Sequence, residues 1–145
     1  MKKIILTLVA LAAVLIPAMA DNDRPIPPEQ LPEAAKSFIK QTFPEQAIAY
    51  AEMETGIAKT KYEVRLNDGT EIDFNGKGEW DKVDCKYKSV PLVLVPEVIA
   101  RYVETNYPAS LIIKIDKELY GWEIELSNDL ELKFAANGSL LAIDD

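Results

Sequence analysis

Histidine is absent from this sequence, and cysteine occurs once, as Cys85. Without histidine, the chain has no Ser-His-Asp or Cys-His catalytic arrangement and none of the usual histidine-containing zinc sites. A single cysteine also excludes an intramolecular disulfide, so a packed core must stabilise the fold. We interpret Cys85 as a small, partly buried residue at the end of a strand.

Basic side chains are few relative to acidic ones: 16 Lys and Arg against 24 Asp and Glu give a net charge of −8. Affinity for nucleic acid comes from clustered Lys and Arg, so nucleic acid is not an expected partner. A carboxylate-only enzyme such as a glycosidase needs two carboxyl groups at a fixed separation in a cleft. The acidic residues here alternate along predicted strands, as on a solvated sheet face. We therefore predict a protein that is not an enzyme and needs no cofactor.

A long hydrophobic run occurs once, from Ile4 to Ile16, and is shorter than the roughly 20 residues that cross a membrane as a helix. Two lysines precede this run, and the sequence Ala-Met-Ala that ends at Ala20 follows it. This order is typical of a signal peptide that is cleaved after Ala20. Residues 1–20 are predicted to direct the mature chain, residues 21–145, to the periplasm or the medium, without membrane insertion.

An internal repeat organises the mature chain. The segment LPEAAKSFIKQTFP (31–44) aligns with VPEVIARYVETNYP (95–108), and Tyr62-Glu63-Val64 aligns with Trp122-Glu123-Ile124 after a length change of four residues. Such self-similarity is the signature of a duplicated structural unit. The repeats cover about residues 29–85 and 94–145, and the apolar half of the linker between them predicts that they form a single domain.

Each repeat is predicted to contain one helix followed by four strands. Apolar residues recur at helical spacing, at Leu31, Ala34, Ala35, Phe38 and Ile39 and at Val95, Val98, Ile99, Tyr102 and Val103. Pro44 and Pro108 end the helices, because the residue before a proline is pushed out of the helical region. Alternation with a period of two then predicts strands at residues 46–54, 59–66, 70–75, 79–84, 110–116, 120–126, 130–134 and 139–143. Short connections make these strands antiparallel, which predicts an α+β fold with both helices on one face of the sheet.

The stretch DFNGKGEWDKVD, residues 73–84, has features of a calcium-binding loop, with Asp73 at its first place and Gly78 at its sixth. Lys77, however, stands at the fifth ligand place, and the second repeat replaces the first carboxylate with Lys133. We therefore interpret the stretch as a β-hairpin and assign no residue as a metal ligand. Weak binding of calcium or a small cationic ligand remains the alternative function, through acidic loops around Asp68, Asp73, Asp81 and Asp84.

Several short motifs recur in a known family. They are the Leu/Val-Pro-Glu helix starts, the Phe/Tyr-Pro helix ends, Tyr62-Glu63-Val64 with Asn67-Asp68-Gly69, and the segment from Phe74 to Trp80. With these motifs the chain resembles the PepSY-like family of periplasmic proteins, whose fold is similar to that of beta-lactamase inhibitory protein. The resemblance implies a tandem repeat, a curved sheet with an open outer face, and an inhibitory or protein-binding role.

The open face is the predicted surface for an unidentified protein partner. If Ala49, Ala51, Ile113 and Ile115 face the helices, the residues between them point to the open side. An apolar and aromatic centre with a polar rim is the usual composition of a recognition surface. The predicted partner-binding residues are Ile48, Tyr50, Lys61, Arg65, Ile112 and Lys114. Trp80 and Val83 fall out of alternation, which indicates a bulge between them.

Overall fold

The structure is a computed structural model, and it describes residues 22–145. The predicted signal peptide and its cleavage site after Ala20 lie outside the described residues. No helix among residues 22–145 has the length and apolar character needed to cross a membrane.

Two helices and nine strands make up the described part of the chain. The helices are α1 (Glu33–Thr42) and α2 (Glu97–Asn106). The strands are β1 (Asp23–Pro25), β2 (Ile48–Thr55), β3 (Thr60–Leu66), β4 (Glu71–Asn75), β5 (Trp80–Asp84), β6 (Ile112–Glu118), β7 (Gly121–Leu126), β8 (Glu131–Ala135) and β9 (Leu140–Asp144). They form one curved antiparallel sheet in chain order, with both helices on one face. The predicted α+β class is thus confirmed.

The helix boundaries follow from the prolines at both ends. Pro32 and Pro96 precede the first helical residues, where a missing N–H costs nothing. Phe43 and Tyr107 leave the helical conformation because a proline follows each of them. The predicted apolar stripes face the sheet, although Ala34 and Val98 remain exposed.

The core lies between the helices and the sheet, and the two halves build it in the same way. Phe74 and Phe134, which are equivalent in the repeat, are both completely buried. Phe38 of α1 packs edge to face against Phe74, with the ring centroids 5.7 Å apart. Tyr102 of α2 packs against Phe134 in the same way, with the ring centroids 5.4 Å apart. Each such buried aromatic ring contributes roughly 1.5–3 kcal/mol to folding.

The halves join where β5 pairs with β6. Val83 lies opposite Ile115, and both side chains are fully buried. Trp80 and Trp122 approach with their ring centroids 6.3 Å apart, and the ammonium group of Lys117 lies 3.8 Å from the centroid of the Trp80 ring. One sheet and one hydrophobic core therefore run through both halves.

Bulges change the direction of side chains in four strands. The register shifts at Asp81 in β5 and at the equivalent Leu141 in β9, so the bulge predicted between Trp80 and Val83 is present. In β2 and β6 the extra residues are Ala49 and Ile113. One extra residue turns the preceding side chain to the opposite face.

The prediction that Ile48 and Ile112 point to the open face is therefore wrong. Ile112 lies opposite the buried Leu126, is 5% exposed and belongs to the core. Ile48 lies opposite the buried Leu66 and packs against the same core. Strict alternation, on which the prediction rested, is broken by the bulge next to each of these residues.

The N-terminal segment of the mature chain lies along the fold. β1 pairs with β2, and the N–H of the buried Ile26 donates to the carbonyl of Ala51 at 2.9 Å. From its composition alone, rich in proline and charge, the segment 21–28 fits either a disordered lead-in or a segment that lies along the domain. For residues 22–28 the structure decides in favour of the domain.

Candidate functional site: the open face of the sheet

The open face is the side of the sheet turned away from the helices, and charged side chains form two rows across it. The first row, from β2 to β9, is Tyr50, Arg65, Glu71, Asp84, Lys114, Glu125, Glu131 and Asp144. The second row is Glu52, Glu63, Asp73, Lys82, Asp116, Glu123, Lys133 and Ala142. Residues opposite each other on adjacent strands lie about 5 Å apart, so each row is nearly continuous. Carboxylates outnumber basic groups in both rows.

Carboxylates stand directly opposite one another at four places on the open face, two of them runs of three residues. Glu52 lies opposite Glu63, which lies opposite Asp73, on β2, β3 and β4. Like charges in directly opposed positions destabilise a sheet. The second run of three, on β7, β8 and β9, is Glu125, Glu131 and Asp144. The two single opposed pairs are Glu71 with Asp84 and Asp116 with Glu123. The open face thus carries electrostatic repulsion that gives the fold no stability.

Ion pairs neutralise part of this negative charge. Lys86, which follows β5, lies 3.0 Å from Glu71 and 3.1 Å from Asp84. Lys133 lies 3.1 Å from Asp144 and 3.7 Å from Glu131. Within residues 22–145, the carboxylates of the two rows that form no ion pair are Glu52, Glu63, Glu123 and Glu125. No lysine or arginine among the described residues offsets the charge of these four carboxylates by direct pairing.

Burial and this repulsion also raise the pKa values of three carboxyl groups on the open face. Partial burial, together with the charges of Asp73, Glu52 and Glu71, raises the pKa of Glu63. Burial raises the pKa of Asp116 despite the neighbouring lysines, and burial with the charge of Glu123 raises the pKa of Glu131. A cation that approaches would favour the charged form of all three groups.

Two tyrosines place their hydroxyl groups on free carboxylates of the second row. The Tyr50 hydroxyl donates to Glu52 at 2.7 Å, and the Tyr120 hydroxyl donates to Glu123 at 2.9 Å. Both rings are partly exposed, at 36% and 41%. Tyr50 was identified from the sequence, and Tyr120 was missed. The strand predicted from residue 120 would place Tyr120 on the helix-facing side with Trp122, whereas Tyr120 lies in the turn before β7 and its hydroxyl reaches Glu123.

Of the predicted partner-binding residues, Tyr50, Lys61, Arg65 and Lys114 lie on the open face. Tyr50 and Arg65 are directly opposed, whereas Lys61 lies at the far end of β3 and Lys114 three strands away from Arg65. Ile48 and Ile112 are not among them, for the reason given above. The predicted apolar centre is therefore reduced to Tyr50, and the open face is mainly charged.

A cleft of about 820 Å³ opens at one end of this face, where β5 and β6 diverge. Asp73, Lys82, Asp116 and Lys117 are among its lining residues. Asp73 and Asp116 lie on strands on either side of Lys82, and Lys82 pairs with Asp73 at 3.6 Å. The Lys82 side chain thus lies between the carboxylates of Asp73 and Asp116. In a glycosidase, the space between the two catalytic carboxylates is left open for the substrate.

The acidic loops have structural roles in the turns. Asp68 accepts a hydrogen bond from the backbone N–H of the buried Thr70 at 3.0 Å. Burial alone would raise the pKa of Asp68, but the hydrogen bonds from Thr70 and the charge of Lys88 outweigh it and lower the pKa. The stretch 73–84 is a β-hairpin, in which Asn75 accepts the backbone N–H groups of Lys77 and Glu79. In the part of the chain that the structure describes, no three Cys, Asp or Glu side chains are grouped so that they could hold a metal ion.

Comparison with known proteins identifies the family. A family model described as "Putative beta-lactamase-inhibitor-like, PepSY-like" matches residues 19–59 and 60–142. The chain belongs to the PepSY-like family. The resemblance inferred from the helix motifs is thereby confirmed. No curated protein matches the chain.

Solved structures of similar proteins share the PepSY-like fold. A "putative calcium-regulated periplasmic protein" from Bacteroides thetaiotaomicron is 42% identical, with a TM-score of 0.83 over 87% of this chain and 99% of that chain. A "putative periplasmic protein" from Bacteroides vulgatus is 41% identical, with a TM-score of 0.82 and the same shares covered. Another from Bacteroides vulgatus, "of unknown function", is 38% identical, with a TM-score of 0.81 over 85% and 99% of the two chains.

Proposed function

We propose that this PepSY-like chain is a non-enzymatic binding protein of the periplasm, and that its open face holds a basic, extended segment of a partner protein. The beta-lactamase-inhibitor-like description of the family supports a protein-binding role, and the periplasmic relatives with the predicted signal peptide support the location.

The observation that carries the proposal is the opposition of like charges on adjacent strands. The stretch Glu52, Glu63 and Asp73 costs up to about 1 kcal/mol for each opposed pair, and the fold gains nothing in return. Sequences break such local rules mainly at functional sites. A partner that supplies lysine or arginine side chains would remove this repulsion on binding, and would gain charge-assisted hydrogen bonds.

The remaining predicted residues have a place in this proposal. Tyr50 and Tyr120 present ring surface beside free carboxylates, which suits the stacking of arginine or the aliphatic part of lysine. Lys61, Arg65 and Lys114 interrupt the negative charge at defined positions. They would favour a segment that carries an acidic residue at the matching place, and so set its register.

Two synthetic peptides test the proposal: a fluorescent peptide of alternating Lys and Ser, and the matched peptide of Glu and Ser. We expect the fluorescence anisotropy of the lysine peptide to rise when protein is added, and its affinity to fall as the salt concentration rises. The glutamate peptide should remain unbound. Replacement of Glu63→Gln together with Glu123→Gln should weaken binding about fivefold, from roughly 0.5 kcal/mol per exposed charge contact.

A control pair removes the same charge elsewhere. Glu45→Gln with Glu104→Gln changes exposed carboxylates outside the sheet, in the turn after α1 and on α2. If this pair weakens binding as much as the open-face pair, only net charge matters and the open face is not the site. Binding should also weaken as the pH falls, and at a higher pH than ordinary carboxyl groups would require, since Glu63, Asp116 and Glu131 have raised pKa values and lose their charge first.

Calcium is the second candidate ligand, because the Bacteroides thetaiotaomicron relative is named as calcium-regulated. Carboxylate oxygens are ligands that Ca²⁺ prefers, and Glu125 on the open face and Asp81 in the cleft carry no ion pair among residues 22–145. If calcium binds, the melting temperature will rise with CaCl₂ more than with MgCl₂ at equal ionic strength. Equal effects of the two salts would show charge screening and remove this candidate.

A further inference from the structure

The two edges of the sheet are unequal. At the first edge, β1 covers β2 with three exposed residues, of which Pro25 has no N–H to offer to another strand. A short, proline-containing edge strand is a common protection against unwanted strand pairing. At the other edge lies β9, and no strand among residues 22–145 pairs with its outer side.

The residues on β9 are of a type that is usually buried. Ile143 is equivalent in the repeat to Val83 of β5, which is fully buried against Ile115 of the adjoining β6. Ile143 has no such neighbour and is 46% exposed, and the flanking Leu140 and Leu141 are 37% and 57% exposed. β9 thus keeps the apolar side chains of an inner strand at an uncovered edge.

We propose that β9 pairs antiparallel with β9 of a second copy of this chain, so that the two sheets join into one. The junction between β5 and β6 shows that the fold already joins two like units by their edges. The apolar side chains of both β9 strands would cover each other. This inference is independent of the proposed function, because it concerns the edge of the sheet and not its open face.

Two observations favour a second copy in this arrangement. Head-to-tail joining of β9 to β2 of another copy is blocked, because β1 already occupies that edge. A pair of β9 strands uses the same surface on both copies and closes after two. The Lys133 ammonium, 3.1 Å from the Asp144 carboxylate, also neutralises the acidic side chain that the copies would bring near each other.

Sedimentation velocity of the mature chain, residues 21–145, over a series of concentrations up to about 1 mM tests the proposal. An edge of five residues makes a small interface, so we expect a monomer–dimer equilibrium and not a permanent dimer. Ile143→Lys should abolish the dimer. Val93→Lys introduces the same charge at an exposed apolar residue outside the sheet, and should leave the dimer unchanged.

A cysteine in β9 distinguishes loss of pairing from loss of folding. Opposed residues of antiparallel strands have Cα atoms 4.5–5.5 Å apart, a distance that a disulfide can span. With the two-fold axis at Ala142, the middle residue of β9, the two copies of Ala142 are opposed. Ala142→Cys should therefore give a covalent dimer under mild oxidation, and Ser37→Cys, on the exposed side of α1, should not. A wild-type chain that stays monomeric overturns the proposal, as does a dimer that persists in Ile143→Lys. Assemblies that lengthen with concentration would indicate exchange of β1 for β9 and would overturn the closed dimer.

Discussion

Gly121 shows how one residue adapts the repeat to a local requirement. Its φ of +148° is one that other residues rarely adopt, and a Cβ atom built on it would lie 2.2 Å from the carbonyl oxygen of Phe134. The repeat-equivalent position in the first half is Lys61, which pairs with Asn75 in an ordinary strand. The second half therefore tolerates only glycine where the first half carries a charged side chain.

Gly121→Ala should lower the free energy of unfolding by about 3 kcal/mol or more, because backbone strain adds to the displacement of β8. Gly69→Ala is the matched control. Gly69 also has a positive φ, of +89°, but no atom lies within 4 Å of the added Cβ, so only the strain of about 1–2 kcal/mol is expected. Urea denaturation measures both variants. Equal losses would show that the contact with β8 relaxes at little cost.

At the scale of elements, the bulges decide which side chains reach the core. Ala49 and Ile113 each shift the register by one residue, so that Ile48 and Ile112 join the helix side of the sheet. The bulges recur at equivalent places in both halves. Each allows a strand to contribute an isoleucine to the core at one end and a charged row to the open face along the rest of its length.

The register of β6 predicts that two neighbouring isoleucines contribute very differently to the free energy of unfolding. Ile112→Ala should cost about 2–5 kcal/mol of stability, since a buried side chain leaves a cavity. Ile113→Ala should cost less than about 1 kcal/mol, because Ile113 is only partly buried on the open side, beside Glu125. The midpoints of urea denaturation compare the two. The reverse order would mean that Ile113, and not Ile112, packs under α2.

At the scale of the whole molecule, the junction between β5 and β6 joins the halves into one core. Val83 and Ile115 are fully buried in it, and Trp80 and Trp122 lie together beside it. A half that unfolded alone would expose these side chains to water. Unfolding of one half therefore destabilises the other, because the two halves share this buried interface.

We expect the mature chain to unfold in a single transition, as one domain. Tryptophan fluorescence reports on the junction, since both tryptophans lie there, and far-ultraviolet circular dichroism reports on both halves. The two signals should change at the same urea concentration. Val83→Ala should lower the free energy of unfolding by roughly 2 kcal/mol and move both midpoints to lower urea together. If fluorescence changes first, the halves separate before they unfold, and they are then two domains.

Local causes decided much of this structure, and these can be read from the sequence alone. The prolines set the ends of α1 and α2, and two periods of hydrophobicity distinguished helices from strands. The repeat predicted four strands per half and their antiparallel order, with boundaries close to those observed. The charged character of Lys61, Arg65 and Lys114 on the open side followed from the same alternation.

The tertiary structure alone decided the features that depend on register between strands. A single extra residue at Ala49 or Ile113 costs little locally, yet it reverses the face to which Ile48 and Ile112 point. The pairing of β1 with β2, the position of Lys86 between Glu71 and Asp84, and the opposition of Glu52 to Glu63 join residues from different strands. No local pattern encodes such contacts, because the position of each residue depends on the packing of the whole sheet.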